Sequence, residues 1–317
     1  MTRVLTILAL GLGLVLACGV ARAEPAVPRK IVVGVYVNHV YALDIKQNMF
    51  TADFYVWFRW EGDDLKPIES FELANGRITA KTGIVKRTFG TQLYASARVV
   101  ATITKFWDLR RFPLDDHTLA IEIEDSEQDT RTAVFEADTA NSAISPDLQV
   151  PGWAVADTRA HAMPHTYRTN YGDISLAKDR ESSYSRFVYE IDVERPGYGR
   201  FVKVFFGLFV SVLISWCAFW VRPKESSPRV SLGVGATFAA AAVTVTINNS
   251  LPDTNAVTMA DKLIMLTLGT IVASLAVTIV ALTLLAHNKE VVQKKLDRIC
   301  AIVFPVVYLA MLVVIVA

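Results

Sequence analysis

Four long apolar stretches crowded into the last 117 residues constrain this chain more than any other feature. They cover 201–221, 230–247, 263–286 and 299–317. Each is about long enough to cross a hydrocarbon core of roughly 30 Å at 1.5 Å per helical residue. A disordered chain or a simple soluble enzyme does not carry such a set. The connections between the stretches orient them. Segment 222–229 holds Arg222, Lys224 and Arg229, and segment 287–298 holds Lys289, Lys294, Lys295 and Arg298, while 248–260 holds no Lys or Arg. Basic loops stay in the cytoplasm, which puts the N-terminal region and the C-terminus outside.

Residues 1–23 agree with that orientation. Arg3, an apolar run and then Ala21-Arg22-Ala23 read as a cleavable secretory signal, with Glu24 as the mature start. A lipoprotein reading through Cys18 competes with it, although Leu16 is bulky where a small residue is usual. The other cysteines, Cys217 and Cys300, lie in apolar segments, so the exported region has no disulfide and depends on packing and assembly. The formal charge of +1 conceals two unlike halves. Residues 24–200 carry 21 Lys and Arg against 26 Asp and Glu, and residues 201–317 carry 9 against 5. No basic cluster comes with interleaved aromatics, which excludes nucleic acid as a partner.

Between residues 24 and 200 the dominant period is two, as in half-buried strands. Phe50, Ala52, Phe54, Val56, Phe58 and Trp60 alternate with Thr51, Asp53, Tyr55, Trp57 and Arg59. Leu119, Ile121 and Ile123 form a second stripe, and Phe187, Tyr189, Ile191 and Val193 a third. Asn75-Gly76, Phe89-Gly90 and Pro151-Gly152 punctuate them as turns. The pattern predicts an all-β sandwich of about 175 residues ahead of a four-helix transmembrane bundle. The two cytoplasmic loops, about 8 and 12 residues long, are too short for a folded output domain. Whatever the outer domain senses must be reported by the spans themselves, which points to a channel or a transporter.

The second span differs in kind. Gly233, Gly235, the run 239–242 of alanines and Thr237, Thr244 and Thr246 replace the Leu and Phe of a lipid-facing helix. Arg229, Ser231, Gly235, Phe238, Ala242, Val245 and Asn249 are read as one face, polar at its ends and apolar in the middle. A ring of such helices makes a pore with an apolar constriction at Phe238 and Val245 that closes by dewetting. Tight packing of a small-residue helix explains the same composition, and periodicity alone does not choose between them.

The segment Asp108-Leu109-Arg110-Arg111-Phe112-Pro113-Leu114-Asp115 resembles the signature loop of the pentameric ligand-gated ion channels, or Cys-loop receptors, in their prokaryotic branch. Thr104 and Thr118 stand where animal members have bridging cysteines. Glu194-Arg195 with Gly197-Tyr198 resembles the junction before the first span, and the stretch from Leu213 to Trp220 its inner half. Leu251-Pro252 resembles the turn after the pore helix, and Phe304-Pro305-Val306-Val307-Tyr308-Leu309 the fourth span of bacterial members. Each motif is weak alone; the ordered set covers nearly the whole mature chain.

The resemblance implies a homopentamer in a bacterial inner membrane, with an immunoglobulin-like periplasmic sandwich over 24–199 and a channel domain over 200–317. Its four helices are expected at 201–221, 229–249, 262–286 and 298–317. Ligand, a small molecule or protons, would act at subunit interfaces and inorganic ions would permeate; no cofactor or metal is implied, and no enzymatic triad stands in a recognisable context. Coupling elements are expected at Asp44, Phe112, Pro113, Asp115, Arg195, Pro252 and Asp253, with Arg195 pairing with Asp115 or Asp44, though a static salt bridge at the junction remains the simpler alternative. The stretch 69–76 replaces the usual Trp-x-Pro ligand loop and offers Phe71. Tyr55 and Tyr94 match the complementary face; Glu124, Asp125 and Glu127 with Tyr167, Tyr171 and Tyr184 match the principal one. Aromatics beside carboxylates suit an ammonium ligand. Five Arg229 side chains at the inner mouth would favour anions, against which Glu225 stands close by. His161 and His165 are read as an exposed loop, and Gly207 as the flexible site in a first span that lacks the family's proline. A small transporter and an anchored periplasmic receptor are the rival classes; neither internal repeats nor mid-membrane charges favour the first.

Overall fold

The computed structural model describes residues 27–172, 181–222, 225–252 and 256–316. The expected signal segment 1–23, Glu24, Lys224 and Asp253 lie outside the described residues.

Ten strands follow one another before the first long helix: β1 (Arg29–Asp44), β2 (Met49–Glu61), β3 (Phe71–Leu73), β4 (Gly76–Phe89), β5 (Gln92–Thr104), β6 (Asp116–Asp125), β7 (Ala133–Ala137), β8 (Ala143–Ile144), β9 (Ala154–Tyr167) and β10 (Ser182–Glu194). One sheet runs β4-β5-β2-β1-β7 with β8 beside β1, and the other runs β3-β6-β10-β9. The three alternating stripes decide which faces meet. Phe50, Phe54 and Phe58 from the first sheet and Leu119, Ile121, Phe187 and Tyr189 from the second are each at most 1% exposed, the interdigitated core of a sandwich. Truncating a fully buried Phe such as Phe54 to Ala costs about 3–5 kcal/mol in such a core. Asn75 fixes the crossing from one sheet to the other: its amide donates to Ala120 O at 2.9 Å while its carbonyl accepts from Glu122 N at 3.3 Å.

Four helices follow, α1 (Gly199–Cys217, extended by the tighter turn Ala218–Trp220), α2 (Ser226–Ser250), α3 (Met259–Ala286) and α4 (Glu290–Val316). All four are long and apolar enough to cross a membrane, so this is a multi-pass membrane protein. Glycines set the close approaches in the bundle. A Cβ on Gly207 of α1 would meet Val243 Cγ2 of α2 at 2.5 Å, and one on Gly233 would collide with Leu275 of α3. Gly207, the nearest flexible site in a span without the family's proline, is thus a contact point inside an unbroken helix. Pro305 cannot donate to Ala301 O one turn back; Trp216 Nε1 of α1 supplies that donor at 2.9 Å. Only residues 287–289 separate α3 from α4, because Lys294, Lys295 and Arg298 lie on α4 itself. That connection is shorter than the expected 12 residues. His161 and His165, expected in a loop, lie on β9.

Candidate functional site

Three sites are built where these elements meet. The first lies at the far end of the β6, β9 and β10 sheet, in a cavity of about 270 Å³ lined by Glu72, Glu124, Ser126, Tyr167, Tyr171 and Tyr184. The three tyrosine rings meet edge to face, with centroids 5.7 to 6.5 Å apart. Strand alternation put Glu124 on the outward side, and Arg186 of the adjacent strand neutralises it. Arg186 Nε donates to Glu124 at 2.6 Å, its Nη1 to Glu122 at 2.6 Å and its Nη2 to the Tyr167 hydroxyl at 3.0 Å. The Tyr167 hydroxyl in turn donates to Glu124 at 2.8 Å. Burial and that hydrogen bond push the Tyr167 phenol up to about 12. Burial, with Glu124 and Asp125 nearby, raises the Glu72 carboxyl.

The expected ligand residues divide. Glu124, Tyr167, Tyr171 and Tyr184 come together. Phe71 does not join them: it is core, 5% exposed, with its ring 5.4 Å from Phe58, because strand alternation turns Phe71 inward and its neighbour Glu72 outward. Asp125 is a turn former that accepts from Ser70 Oγ and from the backbone N–H groups of Glu127 and Gln128. Glu127 is exposed and outside the cavity lining. Tyr55, beside Arg98, and Tyr94, opposite Arg59, lie on the outward face of the other sheet; one chain does not bring them to the tyrosine cluster. Glu72, Ser126 and Arg186 were missed, and alternation through β3 would have found Glu72.

The second site is the junction of sandwich and bundle. Asp115 is buried between two hydrogen-bond partners: His117 Nε2 at 2.7 Å and Arg195 Nε at 3.4 Å. Arg195 also donates to Gly152 O at 2.8 Å and lies 3.3 Å from the centre of the Trp153 ring. Gly152 can present that carbonyl because its φ of +80° suits glycine. Burial, against the opposing charge of Asp115, pulls the Arg195 guanidinium down to about 10. Burial alone would raise the Asp115 carboxyl, but the His117 hydrogen bond and the Arg195 charge hold it below its ordinary value. Arg195 therefore pairs with Asp115, not with Asp44, which caps its own turn by accepting from Gln47 N at 2.8 Å. Among the described residues, two hydrogen bonds cross directly into the bundle. Arg110 O accepts from Met259 N, an orphan donor of the first turn of α3, at 2.9 Å, and Lys46 Nζ donates to Asn249 O near the end of α2 at 3.2 Å. The Phe112-Pro113 bond is cis, and Arg200 of α1 lies 5.7 Å from the Phe112 ring.

The third site is α2, which has two faces. Arg229, Gly233, Ala236, Ala240 and Ile247 are buried against the other helices of the same chain. Ser231, Gly235, Phe238, Ala242, Val245 and Asn249 lie on the opposite, exposed side, Phe238 at 73% exposure. Arg229 therefore leaves the expected pore face. Ser231 is only two residues on, about 200° around a helix of 3.6 residues per turn. Its guanidinium is fully buried, donating to Asp297 Oδ1 at 2.7 Å and Oδ2 at 3.0 Å. Tight packing and an open polar-ended stripe, alternatives in the sequence, occupy different sides of one helix.

A β-sandwich joined through a Phe-Pro-x-Asp loop to four membrane helices, the second of them small-residued and two-faced, is the build of a pentameric ligand-gated ion channel, and the chain is homologous to that class in its prokaryotic form. It is 25% identical over 307 residues to a proton-gated ion channel of Gloeobacter violaceus, a match covering 89% of this chain and 81% of that one. It is also 25% identical over 179 residues to the gamma-aminobutyric acid receptor subunit beta-4 of Gallus gallus, and 22% identical over 166 residues to the subunit pi of Rattus norvegicus. Those matches cover 55% and 52% of this chain but only 34% and 35% of the receptor subunits. No family model matches the chain.

Proposed function

We propose that the chain is one subunit of a homopentameric ligand-gated ion channel of a bacterial inner membrane, with the sandwich (24–199) periplasmic, the bundle (200–317) forming the channel and both termini outside. The observation that carries this reading is the exposed face of α2. Ser231, Gly235, Phe238, Ala242, Val245 and Asn249 form an uncharged stripe, polar at both ends, on a helix whose other side is already packed. Five such stripes around an axis line a pore whose apolar middle, Phe238 and Val245, closes by dewetting. An anchored receptor has no use for that face.

Agonist is read as an ammonium compound held against Tyr167, Tyr171 and Tyr184, with Glu72 as its counter-charge; Tyr55 and Tyr94 complete the site from the neighbouring subunit. Cation–π contacts in such a cage contribute about 0.5–2 kcal/mol each. Asp115, Arg195, the Phe112-Pro113 turn, Lys46 and the end of α2 through Pro252 and Asp253 carry the signal inward; Asp44 shapes its turn. With Arg229 bound to Asp297, the expected attraction of the inner mouth for anions loses its source, and Glu225, exposed at the start of α2, is the charge that acts there. Whole-cell currents under a panel of primary and quaternary amines test the agonist reading. Currents that appear with amines and weaken in Tyr184→Ala are expected; a flat response across the panel, with robust opening by acid, would remove it.

A further inference from the structure

The position of His117, at the centre of the junction and used so far only as a hydrogen-bond partner, points to a regulatory role. Its ring meets Trp107 and Trp153 edge to face, with centroids 4.9 and 5.2 Å away, while the two indoles stack on each other at 6.4 Å, and its side chain is 2% exposed. Because Asp115 accepts through Nε2, the neutral ring carries its proton there and leaves Nδ1 as the basic nitrogen. The ring also borders a cavity of about 480 Å³ whose charged walls are Asp108, Asp116, Asp192 and Glu194 against Lys105 and Arg159. On the far side of Asp115 stands Arg195, with the charge of Arg200 of α1 acting on it.

We propose that protonation of His117 regulates the junction by drawing Asp115 away from Arg195. Nδ1 takes a proton from hydronium, which leaves as water, and the imidazolium becomes the second full cation on one carboxylate. The existing distances favour the histidine, 2.7 Å against 3.4 Å for Arg195. Arg195 then keeps only Gly152 O and the Trp153 face, so the end of β10 and the start of α1 loosen from the Phe112–Asp115 loop. Asp115 itself does not supply this response, since its carboxyl is held below the ordinary carboxylate range and stays ionised through mild acid. The inference rests on the channel reading for its consequence, but not for its test.

An imidazolium beside an indole quenches its emission, so the full-length protein in nanodiscs reports its own state. On acidification across the histidine range, from about pH 8 to pH 5, wild-type tryptophan emission falls, and His117→Gln, which keeps an N–H donor for Asp115, loses about half of that change or more. Trp153→Phe removes part of the amplitude with His117 intact. Over the same interval, hydrogen exchange of segments 109–118 and 195–203, corrected for intrinsic pH dependence, rises in the wild type and not in His117→Gln. Identical emission titrations in wild type and His117→Gln would overturn the proposal, as would exchange that rises equally in both. Absence of conductance from the wild type at every pH would instead remove the channel reading and leave both arms decisive.

Discussion

Two arginines lie buried at opposite ends of the bundle, and they are held differently. Arg229, at the end away from the sandwich, is gripped by both oxygens of Asp297 on α4, and Gln293 Nε2 donates to the same carboxylate. Arg195, at the sandwich end, has a single long contact to a carboxylate that it shares with His117; each arginine leaves one buried nitrogen without a partner among the described residues, Nη2 of Arg195 and Nε of Arg229. A paired, bidentate ion pair is a fixed point, because breaking one side strands a charge in a medium that solvates it badly. A carboxylate shared between two donors can side with either, which is what a switch requires. Arg229 anchors α2 to α4, while Arg195 has a looser hold that the proposed switch would exchange.

The largest expected effect breaks the anchor. Asp297→Asn leaves the Arg229 charge uncompensated and costs about 3–5 kcal/mol, seen as a lower thermal midpoint and loss of assembled protein on size exclusion; Arg229→Met with Asp297→Leu recovers most of it. Equal losses in single and double variants would contradict the pairing. Next comes the switch. Arg195→Ala assembles at wild-type levels but shifts the agonist dose-response about tenfold or more, the equivalent of about 1.4 kcal/mol. An unchanged curve with intact assembly would reduce the junction to a static contact. Smaller again is Glu72→Gln in the tyrosine cage, expected to weaken ammonium binding severalfold, about 1 kcal/mol; calorimetry on the full-length protein reads it, and unchanged affinity would move the ligand elsewhere. The smallest is at the inner mouth: the double variant Arg229→Met with Asp297→Leu leaves the reversal potential under a chloride gradient unmoved, while Glu225→Gln shifts it by a few millivolts toward chloride. A shift of the first kind would return Arg229 to the pore.

The pH dependence of the outer pair has a definite sign. The Asp115 carboxyl is depressed in the folded chain, so its stabilisation is present above the ordinary Asp value near 3.9 and fades only as pH falls through the lower folded one. A response at milder acidity belongs to another group.

Much of this was legible in the chain. Period-two stripes such as Phe50 to Trp60 specify which faces close on each other, since a one-residue slip would expose every Phe. Hydropathy gave the four helices. What escaped was direction around a helix and long-range charge pairing. Arg229 precedes Ser231 by two residues, which separates them by half a turn, and its partner Asp297 lies 68 positions further on, beyond any local pattern. Likewise the tyrosine cluster was visible as a set, but Arg186, which neutralises Glu124, reads in sequence as one more outward charge on a strand. Phe71 was placed at the ligand by analogy with a loop; the pleat puts Glu72 there.

Single-channel recording of the purified protein in planar bilayers tests the central claim most directly. The account predicts discrete openings of one unitary size whose frequency depends on ligand or acid. In Arg195→Ala that dependence shifts while the unitary current stays the same, because Arg195 lies outside the pore. A wild-type protein that is assembled and folded yet silent across the amine panel and across pH would contradict it.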